Sequence, residues 1–74
     1  MANTATRTRP LPVTDNGTEI GAIVRTAEGT WEGWLLTADR QGYVPLDLRN
    51  QPEFGYPTHA RDAVVTEYNR RQSA

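Results

Sequence analysis

The sequence predicts an α+β domain: a three-stranded antiparallel sheet packed on one C-terminal helix, in the order β-β-β-α, with a flexible N-terminal arm. Three observations predict it. Between residues 19 and 48, short runs alternate apolar and polar side chains with period two, separated by glycine-bearing turns. Beyond residue 57 the apolar spacing changes to the three-and-four rhythm of a helix. Residues 1–10, MANTATRTRP, show neither rhythm. The chain therefore divides into a disordered arm at 1–10 and a single small α+β domain at 11–74.

Taken in order, LPVTDNGTEIGAIV sets Asn16-Gly17 between two short apolar stretches, the strongest local signal for a hairpin. Pro12 has no N–H, so a strand at 11–14 would be confined to an edge, and whether one forms is left open. EIGAIVRT (19–26) reads as the first strand, with Ile20, Ala22 and Val24 on one face and Gly21, Ile23 and Arg25 on the other. Ala27-Glu28-Gly29 is a turn, and TWEGWLLT (30–37) is the second strand. There Trp31, Gly33 and Leu35 oppose Glu32, Trp34 and Leu36.

A polar loop at 38–42 leads to YVPLDL (43–48), a third strand with Val44, Leu46 and Leu48 on one face and a non-donating Pro45. RNQPEFGYP (49–57) is a loop whose Phe54 and Tyr56 are expected to fold over one end of the core. Thr58 is the expected N-cap of the helix, Ala60, Ala63, Val64 and Tyr68 form its apolar stripe, and Arg70 and Arg71 suit its C-terminal dipole. Small side chains on that stripe allow a close approach to the sheet.

Composition narrows the function classes. Net charge is −1, which provides no sequence-wide attraction to nucleic acid or anionic membrane. No run approaches the ~18 apolar residues of a membrane span. The opening lacks the apolar segment of a secretory signal, which points to the cytoplasm. His59 is the sole histidine and Ser73 the sole serine, with lysine and cysteine absent. A nucleophile with base and orienter cannot be assembled from that inventory, so no catalytic residue is assigned. One histidine without cysteine gives no zinc site, no alternating acids suggest a calcium loop, and no phosphate loop occurs; no metal and no cofactor are expected.

The two tryptophans are the functional handle. Lying three apart on one strand, Trp31 and Trp34 must point to opposite faces. With Trp31 under the helix, Trp34, Leu36 and Ile23 are expected to share the face the helix leaves uncovered. An exposed contiguous apolar patch marks an interaction site, and tryptophan is enriched at binding hot spots.

Val24-Arg25, then Gly29 and Trp31, then Thr58, Ala60, Ala63 and Tyr68 follow a spacing that resembles three-stranded-sheet-plus-helix DNA-binding domains. These include the plant ethylene-response-factor type and the amino-terminal arm-binding domain of tyrosine integrases. The resemblance spans residues 20 to 70 and is one of topology and spacing. It implies that the sheet face away from the helix enters the major groove, with Arg25 at a reading position. The second strand departs from that pattern, since its groove-facing set would be Glu32, Trp34 and Leu36, with no arginine.

The resulting expectation is a small non-enzymatic interaction module that binds a protein partner or a second copy through Ile23, Trp34 and Leu36. Chains of this size and look occur among accessory proteins of phages and mobile elements. The alternative is a DNA-binding protein using Arg7, Arg9, Arg25, Arg40 and Arg49.

Overall fold

The computed structural model describes residues 9–73. The arm expected at 1–10 lies outside that range except for Arg9 and Pro10, which are both exposed. Asn16 and Gly17 adopt φ of 54° and 80°, the two left-handed conformations that a tight two-residue hairpin needs. They join β1 (Leu11–Asp15) to β2 (Thr18–Arg25). A second turn, with Gly29 at φ 89°, leads into β3 (Trp31–Leu36), and the 38–42 turn leads into β4 (Tyr43–Pro45). Neighbouring strands run antiparallel in the order β1-β2-β3-β4.

The sheet thus has four strands where the sequence predicts three. Residues 11–15 lie in the plane of the sheet beside β2, so they extend it rather than covering its second face. The edge position accommodates Pro12.

The last strand is shorter than expected and ends at Pro45. Asp47 explains the stop. Its Oδ1 accepts hydrogen bonds from the backbone N–H of Arg49 (2.9 Å) and Asn50 (3.3 Å), a side-chain turn that competes with extension. The Gln51 side chain fastens this loop, accepting from Asp47 N–H at 3.3 Å and donating to the Gly33 carbonyl at 2.6 Å. Leu46 still packs on the core, but Leu48 is 86% exposed rather than inward.

The helix α1 (Pro57–Ser73) opens one residue before Thr58. Pro57 takes the first position, where a missing N–H is harmless and the fixed φ suits the helix. Trp31 and Phe54 exchange two backbone hydrogen bonds, both 2.8 Å, so Phe54 closes that end of the core as expected. Tyr56 does not, at 65% exposed, and instead meets the His59 ring edge-on.

Val13, Ile20, Ile23, Leu35, Ala60 and Val64 form the buried core, flanked by Trp31, Val44, Leu46, Val65 and Tyr68. Ile20 and Ile23 are three apart and cannot share a face of a regular strand. A bulge reconciles them. Val13 pairs with Gly21 but Thr14 pairs with Glu19, so Ile20 is an extra residue that swings into the same core.

Helix and sheet meet at Ala60 and Val64, both fully buried, over Gly21 and Gly33. A Cβ at Gly33 would stand 2.8 Å from Val64 Cγ2 and 3.0 Å from Leu46 Cδ1. One at Gly21 would run into the Trp34 carbonyl oxygen and lie 2.9 Å from Val64 Cγ1. Gly33→Ala is therefore expected to destabilise the fold by about 1–3 kcal/mol, the range for overpacking. Gly42→Ala, with nothing within 4 Å of the added carbon, serves as the benign control. Urea denaturation of both variants measures the contrast, and equal midpoints would refute the close-packing account.

At the helix end, Glu67 accepts from Arg70 Nε (3.0 Å) and Arg71 Nε (2.7 Å). The hydrogen bonds from Arg70, then Arg71, hold its carboxyl down at about 2, against an ordinary 4.5. A depressed folded-state pKa stabilises the fold fully above the unfolded value, and that contribution fades as pH falls from about 4.5 toward 2. Glu67→Gln should accordingly lower the thermal midpoint at pH 7. The difference from wild type should shrink progressively below pH 4.5. A pH-independent difference would mean that Glu67 acts through packing alone.

Candidate functional site

The strand register decides which residues share the uncovered face. Ile23 pairs with Gly33 and Gly21 with Leu35, and all four lie on the helix side. Ala22 pairs with Trp34 and Val24 with Glu32, so these four occupy the opposite face. Leu36 pairs with Tyr43 and Trp34 with Pro45, which adds β4 to that face. Pro12, opposite Ala22, adds β1.

The two tryptophans therefore diverge as expected. Trp31 packs against the core and Trp34 stands on the other face with Leu36. Ile23 is a correction to the expected site, because it is 5% exposed and belongs to the core under the helix. Alternation alone fixes which residues of a strand go together. It does not fix which neighbouring set they join, and the bulge at Ile20 shifts that phase.

Ala22, Val24 and Tyr43 replace Ile23 around Trp34. Pro10, Ala22, Val24, Trp34 and Tyr43 line a shallow trough of about 280 Å³. Ala22, 1% exposed, forms its floor, and Tyr43, 42% exposed, stands at its rim. The Tyr43 hydroxyl donates to Glu19 Oε2 at 3.3 Å. Partial burial, then the adjacent Glu19 carboxylate, push the Tyr43 phenol above its ordinary pKa.

Among the described residues, two polar atoms on this face have no partner. Trp34 Nε1 and Glu32 Oε1 are both shielded from water without a hydrogen bond. Leaving a buried donor or acceptor unpaired costs on the order of 1–3 kcal/mol. The sequence signals for Tyr43 and Glu32 were present in the alternation of their strands. The unpaired atoms required the folded geometry.

The arginines of the alternative reading do not gather into one surface among the described residues. Arg25 has the strand parity of Gly21 and Ile23, away from the Trp34 face. Arg9 precedes β1, whereas Arg40, at φ 63°, sits in the β3–β4 turn and donates to the Glu19 carbonyl at 3.4 Å. Arg49 lies beside Leu46, Glu67 and Arg71 at the end of the helix. Arg7 lies outside the described residues.

Among the described residues no group of three or more His, Asp or Glu side chains is placed to hold a metal ion. No helix among them is long and apolar enough to cross a membrane. No protein-family model, curated protein or solved structure matches the chain.

Since no strand position on the Trp34 face is basic, duplex DNA of mixed sequence should bind weakly, with a Kd no tighter than ~10⁻⁶ M at physiological salt. A fluorescence titration at two salt concentrations checks this. Tight binding with a steep salt slope, lost on Arg25→Ala, would instead identify a groove-reading surface.

Proposed function

We propose that this protein is a small non-enzymatic interaction module that offers the Trp34 face of its sheet to a polypeptide partner. The observation that supports the reading most directly is the pairing of partly exposed apolar surface with unmet hydrogen bonding. Trp34, Tyr43, Val24 and Leu36 share one face, and Trp34 Nε1 and Glu32 Oε1 on that face lack partners. Solvated apolar surface and orphaned polar atoms both favour association, and a partner that brings a donor and an acceptor relieves both at once.

A second copy of the chain is one form such a partner can take, and a different protein is the other. Association through this face also stabilises the fold, because a ligand that binds only the native state adds to its stability by mass action.

A photo-crosslinking benzoylphenylalanine in place of Leu36 tests the reading in the native host background. It is expected to trap one discrete polypeptide adduct, while the same group in place of the exposed Arg61 on the helix traps none. The adduct's mass separates a second copy from another protein. Equal, diffuse labelling from both positions would count against a dedicated face.

A further inference from the structure

Access to the Trp34 face is under the control of the chain itself, an inference that rests on the interaction reading. We propose that Arg9-Pro10 forms a displaceable wall of the trough, so that the chain's own N-terminal segment and the partner compete for this face.

The segment stands at the trough in the structure. Four of the lining residues belong to β2, β3 and β4, and the fifth is Pro10. β1 begins at Leu11, opposite Ile23, and Pro12 stands opposite Ala22. Two residues before Pro12, Pro10 has the same strand parity and falls beside Val24 on the Trp34 face. Proline also restricts the residue before it to extended conformations. Arg9-Pro10 therefore meets the trough as a stiff piece with little conformational freedom to lose. Charge agrees with this placement, since Arg9 brings a cation to a face whose charged strand positions, Glu19 and Glu32, are acidic.

The two ends of the trough differ in how they are held. Tyr43 is fastened through its backbone, which pairs with Leu36, and through its hydroxyl, which donates to Glu19 Oε2 at 3.3 Å. Pro10 lies outside the β1–β2 ladder and has no N–H with which to join it. Among the described residues, neither Arg9 nor Pro10 makes a hydrogen bond or an ion pair, and both are exposed. Side-chain contact holds this wall, and lifting it breaks no hydrogen bond of the sheet. Segments held this weakly open locally without global unfolding.

With Pro10 in place, Ala22 is 1% exposed and Val24 and Trp34 are half-buried. A partner that spans the face must move Pro10 aside, and its apparent affinity is reduced to the fraction of molecules in which the wall is open. Anything that draws Arg9 away from the sheet strengthens binding at the face, which makes the segment a regulatory element.

The chain has no cysteine, which permits a reversible lock. Positions 10 and 24 are opposed by the register, and opposed antiparallel Cα atoms stand ~4.5–5.5 Å apart, within the span of a disulfide. The test compares the full chain, Pro10→Gly, and the double variant Pro10→Cys with Val24→Cys, oxidised and reduced, each carrying the crosslinker at position 36. Pro10→Gly is expected to raise the yield of the discrete adduct at least about threefold. The oxidised double variant should lose most of the adduct, and reduction should restore it. Acrylamide quenching of Trp34 emission, in a Trp31→Phe background, reads the wall without a partner. Quenching should rise in Pro10→Gly and be weaker in the oxidised double variant than in its reduced form.

Thermal melts confirm that each form folds. Failure of the disulfide to close would place the segment away from Val24 and overturn the proposal, as would adduct yields indifferent to both Pro10→Gly and the lock. If quenching responds while the adduct yield stays constant, the wall moves without controlling access; the proposal fails and the interaction reading stands. Absence of any discrete adduct removes both.

Discussion

The structure depends on how closely the helix can approach the sheet. Ala60 and Val64 rest on Gly21 and Gly33, where even one added carbon meets Val64 below 3.0 Å. Dispersion attraction declines steeply with separation, so contact between backbone-proximal atoms yields a dense core from few side chains. A chain of 74 residues has little apolar material for a thick core, and a thin one suits it. The consequence reaches the other face. With glycines pointing at the helix from β2 and β3, their strand neighbours Ala22 and Trp34 must point away from it.

Where the sequence was legible, the reason is local chemistry. Asn16-Gly17 declared its hairpin because few other pairs accept two positive φ angles in succession. The opposed directions of Trp31 and Trp34 followed from strand geometry alone. The helix was visible in its periodicity, although its start moved to Pro57. Of its expected stripe, Ala60, Val64 and Tyr68 face the core, whereas Ala63 is not part of it and Val65 is. Small residues were expected only on the helix; their counterparts Gly21 and Gly33 read as strand members without special meaning until the close approach was seen.

Where it was not legible, the cause is pairing between distant residues. A bulge is one unpaired residue in a ladder, and nothing in EIGAIVR distinguishes it from plain alternation. Once Ile20 is extra, the phase of β2 reverses relative to its turn, and Ile23 moves from the expected open face into the core. The same limitation applied to Leu48. The alternation of YVPLDL extended the strand to it, whereas Asp47 turns the backbone first and Gln51 ties the loop to Gly33, 18 residues away in the chain. Trp34 Nε1 and Glu32 Oε1 are a third case, since an absent partner is a property of the whole fold and not of a motif.

Geometry also explains why one face is left open. A helix with its side chains is ~10–12 Å across, while four strands spaced ~4.8 Å apart make a sheet somewhat wider than that. One helix therefore covers the middle of one face and nothing of the other. Trp34 stands directly across the ladder from Ala22, which is 1% exposed although no helix stands above it. Covering of this face is incomplete: Tyr43 remains 42% exposed at the rim, and the indole N–H finds no acceptor among the described residues. A phenylalanine at position 34 would provide apolar cover without introducing a donor to satisfy. The indole is thus a costlier choice for covering alone, which fits the proposed role of its N–H as a donor to a partner.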